Sequence, residues 1–296
     1  MDVCVIGGSR HFGRQLVEEL REAGAAVTVV NRGSTPAPAG VTRLCADRDD
    51  GAALRAALGD RRFDAVVDQV CYSPLQAAVA AEVFAGRTRR YLLTSTVEVY
   101  AELGRPDGPA LAEPSVDPAV WPVDLARPWA DPAFLAAHYG EGKRQAEALL
   151  TRRAPFELAT VRTAHVLGGA DFTARLAHYV ERIGRGLPVA VHAAPQPASF
   201  VHAPEIARFL ARAAAADFTG PVNAASHGTL DVRELCAAVG RAVGREPVLT
   251  PGGDGPRSPF SFDRGYPMDT GRAARLGFSF SSIGDWLPQV IEEARG

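Results

Sequence analysis

Three side chains define the chemistry open to this chain. Thr96 follows an apolar run, Tyr91-Leu92-Leu93, and Tyr139 and Lys143 stand four positions apart in a helix-forming segment, Ala136 to Arg153. That spacing puts phenol and ammonium on one helix face. A phenol ordinarily has a pKa of about 10, too high for ready proton exchange near neutrality, but a nearby ammonium and a cationic nicotinamide both favour the phenolate. Lys143 could also hold the ribose hydroxyls of such a cofactor, while Thr96 would hydrogen-bond the substrate oxygen and fix its distance from the phenol. In the reducing direction Tyr139 would give a proton to a carbonyl oxygen as hydride reaches its carbon, and oxidation would be the reverse. Tyr-x-x-x-Lys is common on exposed helices, so the surrounding elements must carry the assignment.

Those elements begin at once. Val3 to Gly13 reads VCVIGGSRHFG, an apolar run that breaks into glycines and opens a helix at Gln15 to Leu20. Strand, tight turn and helix in this order set backbone N–H groups and a helix N-terminus against a pyrophosphate. Gly7, Gly8, Ser9, Arg10, Phe12 and Gly13 are the expected cofactor contacts here, with Arg10 at the middle place of a GxxGxxG pattern. A second β-branched strand, Ala26 to Val30, ends in Asn31-Arg32-Gly33 with no acid at its tip. An acid there would bind a ribose 2′-OH, whereas an Arg accommodates a 2′-phosphate. Arg10 would supply a second guanidinium to the same phosphate, so NADP(H) is the expected cofactor and NAD the alternative.

A third strand, Val41 to Cys45, leads to Asp47, which either caps the helix Ala52 to Leu58 or lies beside the adenine. Phe63 to Asp68 is a fourth strand with Asp68 at its end, Pro74 to Phe84 its return helix, and the fifth strand runs into Thr94-Ser95-Thr96. Alternation at this spacing predicts an α/β fold with a doubly wound parallel (Rossmann) sheet, whose ligands lie beyond the strand C-termini, where Gly7, Arg32, Asp68 and Thr96 fall. Phe156 to Arg162 extends the sheet; Arg162 either reaches the cofactor or serves as a structural donor. Tyr72 and Cys71 lie near the expected cofactor path or in the core, and His165 either faces the substrate or is structural. His138, beside Tyr139, is expected to point elsewhere on the helix.

The remainder reads as a smaller mixed C-terminal substrate lobe. Ala101 to Pro132 is a long Pro-, Gly- and Asp-rich loop carrying Trp121 and Trp129, and it reads as a lid. Helices are expected at Phe172 to Arg185, Pro204 to Ala215, Leu230 to Val243 and Ile283 to Ala294, with short strands at Phe200 to His202, Pro221 to Ala225 and Glu246 to Leu249. Pro251 to Pro267 is a second long loop. Residues 1–165 and 197–225 are expected to form the dinucleotide domain, and 166–196 and 226–296 the lobe.

Bulk properties narrow the class. The 296 residues are 47% hydrophobic with a formal net charge of -2, enough apolar content for a core and no global basic field for nucleic acid or an anionic membrane. Cys4, Cys45, Cys71 and Cys236 have no CxxC spacing and read as small core residues rather than disulfides or metal ligands. With no signal-peptide pattern and no run of the ~20 apolar residues a membrane helix needs, a cytoplasmic location is expected.

VIGGSRHFG, VVNRG, FDAVVD, LLTSTVEVY, YGEGK, VRTAHVLG, FVHAPEIA and MDTGRAARLGF follow one another over nearly the whole chain. In this order they resemble the extended short-chain dehydrogenase/reductases of the nucleotide-sugar epimerase/dehydratase type. The resemblance places Thr96, four residues before Tyr100, at the family's catalytic Ser/Thr, and Tyr139 and Lys143 at its catalytic pair. Two departures stand out. Arg10 replaces the middle glycine, a variant resembling the branch that includes the chloroplast stem-loop RNA-binding proteins. No Arg precedes Phe200-Val201-His202 to grip a diphosphate, and Arg257 and Arg264, further on, are the other candidate anion partners. The reading that follows is an NADP(H)-dependent ketoreductase acting on a small carbonyl or secondary alcohol. The alternatives are an epimerase or dehydratase with tightly held NAD, and a non-catalytic RNA-binding relative. Neither nucleic acid nor membrane is an expected partner, and the resemblance implies a homodimer through a helical face.

Overall fold

A computed structural model describes residues 1–36, 38–169, 171–252 and 257–296. Residues 253–256 of the loop expected at Pro251 to Pro267 lie outside the described residues. The first half alternates as anticipated: β1 (Asp2–Ile6), α1 (His11–Glu22), β2 (Ala26–Asn31), β3 (Thr42–Cys45), α2 (Gly51–Leu58), β4 (Phe63–Asp68), α3 (Pro74–Val83) and β5 (Thr88–Thr96). After a long segment come α4 (Pro132–Ala137), α5 (Tyr139–Arg153) and β6 (Glu157–Thr163). The later part holds β7 (His165–Leu167), α6 (Arg175–Gly184), β8 (Val189–Val191), β9 (Phe200–His202), α7 (Ala203–Ala215), β10 (Gly220–Ala224), α8 (Val232–Val243), β11 (Leu249–Pro251), α9 (Gly271–Arg275) and α10 (Ile283–Glu293). No helix among the described residues is long and apolar enough to cross a membrane.

Seven strands form one parallel sheet in the order β10-β6-β5-β4-β1-β2-β3. The chain winds outward from β1 through β2 and β3, then returns to β4 on the other side of β1, and that reversal opens a crevice at the strand C-termini. Strand alternation explains the two-faced core. Val3 and Val5 pack with Leu16, Val17 and Leu20 of α1 and Ile206 and Leu210 of α7. Cys4 and Ile6 point to the opposite face, with Leu54 of α2, Ala77 of α3 and Leu149 of α5. The later part is a smaller region in which β8 pairs with β11 and β7 with β9. Of the four cysteines, Cys4, Cys71 and Cys236 are buried, while Cys45 at the end of the edge strand β3 is exposed rather than in the core.

Four segments differ from expectation, the simplest being the strand expected at Glu246 to Leu249, which is β11 at Leu249–Pro251. The helix over Ala136 to Arg153 is two helices: Asp131 caps α4, and His138, at φ -119 and ψ 30, breaks the run so that Tyr139 opens α5. Helix α6 starts only at Arg175, after Ala174 in the left-handed region. Nor is the 101–132 segment a lid, since only Ala101 and Glu102 of it reach the crevice. Its role is to brace the sheet from outside. Glu113 is buried and accepts from the Asn223 backbone N–H at 2.8 Å, while Trp129 turns its indole N–H inward to Asp124 O. Trp121 is half-buried, 4.6 Å from the Arg144 guanidinium.

Beneath the crevice, a buried polar network joins α5 to the sheet. Arg162 of β6 and Glu147 of α5, both with fully buried side chains, pair at 2.6 Å. Glu147 also accepts from the Ser95 hydroxyl at 2.5 Å, and Arg162 donates to Tyr100 OH, Glu113 O and Val116 O. Removing one partner of a buried pair strands the other charge in a medium of low polarity. We therefore expect Glu147→Ala to lower the unfolding free energy in urea by about 3–5 kcal/mol, against at most about 1 kcal/mol for Glu181→Ala in the exposed pair with Arg185. Equal small losses would show that the network does not hold the helix.

Candidate active site

The crevice is a cavity of about 1120 Å³ at the C-terminal ends of β1, β2, β4 and β5. At one end lies the glycine turn. Gly8 has φ +73, and a Cβ there would stand 2.8 Å from Val5 Cγ1, so only glycine lets the turn close over β1. Gly7, Gly8, Ser9, Arg10 and Phe12 line the cavity. Gly13 does not: it is buried behind the turn, where a Cβ would come 3.1 Å from Gly8 Cα and run into the Gln69 side chain. Its part is to let the helix approach. No side chain caps α1 and no acid stands in its first turn, which leaves the first N–H groups and the positive end of the helix dipole facing the cavity. This backbone cradle fits the pyrophosphate of a dinucleotide.

At the β2 tip, Asn31 braces the turn, donating to Ser9 Oγ at 2.7 Å and accepting from Gly33 N at 3.0 Å. Arg10 reaches the same region, its Nε donating to Thr35 Oγ1 at 3.2 Å, and the exposed Arg32 lines the wall beside Ser34 and Thr35. On its other side the Arg10 guanidinium lies 5.5 Å from the Phe172 ring, and neighbouring His11 Nε2 bonds Gly168 O at 3.0 Å. Asp47 also lines the cavity but does not cap α2; Asp50 does, accepting from Ala52 N and Ala53 N. Asp47 accepts instead from Asp49 N.

Two expected cofactor contacts turn away. Asp68 is wholly buried and takes Arg48 Nη2 at 2.5 Å, Tyr91 OH at 2.6 Å and Val70 N at 3.0 Å. A carboxylate with no access to water needs these donors, and satisfying them points it under the cavity floor rather than into it. Arg162 is committed to Glu147 by the same logic and lines no part of the cavity. Arg48, not anticipated, does line it, held by Asp68.

The reacting end brings the expected trio together. Thr96 ends β5, Tyr139 opens α5, and both face the cavity with Lys143 one turn on. Burial is the main influence on the Tyr139 phenol and pushes its pKa up, with Tyr72 adding to it; a hydrogen bond with Thr96 and the charge of Arg175 work the other way. Lys143 is 1% exposed, donates to Thr94 O at 2.7 Å and lies 4.7 Å from the Tyr72 ring centre. Burial pulls its pKa down to about 8. His138 also borders the cavity, but its Nδ1 bonds Phe134 O and its ring stacks on Phe134. His165 does line the cavity, stacked on Phe262 with centroids 4.8 Å apart, and burial holds its pKa at about 3, so it is neutral. Arg264 pairs with Asp263 and donates to Ala101 O. Glu98, two residues after Thr96, and Arg175 also line the cavity, and neither stands in a motif that marks it in the sequence. Among the described residues no group of His, Cys, Asp or Glu is placed to hold a metal.

Residues 3–81 match the model of the NAD dependent epimerase/dehydratase family. That segment, which holds the glycine turn and β4, is therefore similar to this family. Among curated proteins, the 2'-dehydrokanamycin reductase of Streptomyces kanamyceticus is 29% identical over 136 residues, covering 44% of this chain and 39% of that protein's length. Among solved structures, a UDP-glucose 4-epimerase from Thermus thermophilus in complex with NAD superposes with a TM-score of 0.77 at 21% identity, covering 100% of this chain and 99% of that one. The UDP-glucose 4-epimerase of Thermotoga maritima, with UDP-glucose, gives 0.77 at 20% over the same shares. At 20–21% identity these likenesses show that this chain shares the fold of those structures.

Lys143 provides a test of the site's burial. The unfolded lysine keeps its proton to about 10.5 and the folded one only to about 8, so between these values the unfolded state binds more protons and stability rises with pH. Urea unfolding of the chain minus that of Lys143→Met is expected to rise across pH 8 to 10.5, and a flat difference would mean that Lys143 is solvated.

Proposed function

We propose that this protein is an NADP(H)-dependent ketoreductase that reduces a carbonyl, or oxidises the corresponding secondary alcohol, of a small molecule. The observation that carries it is the pair of arginines at the β2 tip: Arg10, tethered to Thr35 Oγ1, and Arg32 line one wall, and the strand ends in Asn31 rather than an acid. Two guanidiniums suit a 2′-phosphate, where a carboxylate would have repelled it. When bound, the nicotinamide supplies or receives the hydride.

The protein residues supply the proton and the geometry. Thr96 holds the substrate oxygen beside Tyr139, and burial keeps the phenol protonated at neutral pH, the state a reduction needs of its acid. Lys143, fixed on Thr94 O, is an ammonium below about pH 8 and offsets the phenolate that forms as the proton leaves. The reductase of S. kanamyceticus supports net reduction. An epimerase that oxidises and re-reduces one substrate is the second reading, favoured by the NAD held in the Thermus epimerase complex, and a stoichiometric nicotinamide retained through purification would support it.

Tyr139→Phe is expected to lower kcat for NADPH-dependent ketone reduction by about 10²–10⁴-fold while NADPH still quenches or shifts protein fluorescence as in the parent; near-normal turnover would remove Tyr139 from the acid role. Replacing Arg10 and Arg32 together by Ala should weaken NADPH by about tenfold or more beyond any loss for NADH, the weight of a charge-assisted contact. Equal losses for both cofactors would point to NAD.

A further inference from the structure

We infer that Arg175 anchors a carboxylate of the substrate beside the reacting carbonyl, which makes oxo acids, or the matching hydroxy acids, the substrate class. This rests on the reduction proposed above and adds what the site selects. Six cationic side chains line the cavity: Arg10, Arg32, Arg48, Lys143, Arg144 and Arg175. Arg10 and Arg32 stand at the β2 tip, Arg48 is bound by Asp68, Lys143 by Thr94 O, and Arg144 by Glu102 and Glu141. Among the described residues neither Lys143 nor Arg175 is in an ion pair, but Lys143 is buried at 1% exposed and spent on Thr94 O, which leaves Arg175 as the half-buried cation at the reacting end of the cavity.

Its position is fixed without using its charge. Nε donates to Thr173 Oγ1 at 3.0 Å, Nη2 reaches Val166 O at 3.5 Å, and the guanidinium lies 4.9 Å from the Phe260 ring. A partly buried, oriented guanidinium with donors to spare is the group best matched to a carboxylate. The charge is felt where the chemistry happens: it acts on Tyr139 of α5, Glu98 after β5, His165 of β7 and His11 of α1. His165 is 7% exposed, lines the cavity, and has an Nε2 without a protein partner. Being neutral, it can offer a hydrogen bond to a second oxygen without competing for Arg175.

Two carboxylates could have claimed Arg175: Asp171, which accepts from Thr173 N and Thr173 Oγ1, and Glu98. Neither makes an ion pair with it; Glu98 Oε2 accepts from Tyr266 OH at 3.3 Å, and burial raises the Glu98 pKa while the charge of Arg175 lowers it. A substrate carboxylate can take the place at Arg175 that both leave open.

Matched pairs of 3-oxo acids and their carboxamides, of increasing size, test this in two ways: initial rates of NADPH oxidation, and calorimetric binding to Tyr139→Phe protein holding NADP. The acid should be preferred by about tenfold or more in at least one pair, the size of one charge-assisted contact. That ratio should fall toward one in Arg175→Gln and survive largely in Arg175→Lys, with melting curves confirming that both variants fold. No acid preference in any pair, an acid preference unchanged in Arg175→Gln, or tighter binding of UDP than of every oxo acid would overturn the proposal. Failure of the reduction itself would appear separately, as no NADPH oxidation with any pair, and would leave the binding comparison readable.

Discussion

The buried pair of Glu147 and Arg162 is the constraint on which the site depends. Helix α5 carries Tyr139 and Lys143, the end of β5 carries Thr96, and nothing in the backbone hydrogen-bonding of a helix and a strand fixes one against the other. Glu147 does this from beneath, one turn past Lys143, by accepting from Ser95 next to Thr96 while paired with Arg162 at 2.6 Å. Tyr100, Asn223 and the backbone of the 113–116 segment complete the set of donors and acceptors, so no charge is left without a partner. Such a network contributes little net stability compared with apolar packing, yet it admits few alternative arrangements, and that selectivity is what a proton-transfer geometry requires.

Much of this was legible in the sequence because it rests on local rules. The alternation of β-branched runs and amphipathic helices predicts a parallel sheet, and the glycines after β1 mark a turn that no side chain could occupy. The four-residue step from Tyr139 to Lys143 is likewise a matter of helix geometry. What was not legible depends on long-range partners. Asp68 and Arg162 have the types and strand-end positions of cofactor contacts, and only knowledge of where Arg48, Tyr91 and Glu147 fall shows that each is used up inside. The break at His138 has the same character: apolar and helix-forming residues run through it, but the chain turns there to bring Tyr139 over Thr96.

The long 101–132 segment carries a related lesson. Proline, glycine and isolated tryptophans suggest a mobile cover, yet polar atoms decide where it lies. Glu113 reaches the backbone of β10, the carbonyls of Glu113 and Val116 receive Arg162, and Trp129 donates inward. A segment that satisfies buried donors of the sheet cannot swing free without leaving them unpaired, at a cost of about 1–3 kcal/mol each.

Arg10 is held from both sides, by the Thr35 hydroxyl toward the β2 tip and by the Phe172 ring toward the later part of the chain. A free arginine side chain forfeits up to ~2 kcal/mol of rotamer entropy when it is pinned. Here a share of that loss falls in folding rather than in ligand capture, so the substitution of arginine for the middle glycine gives the turn a side chain that is already aimed.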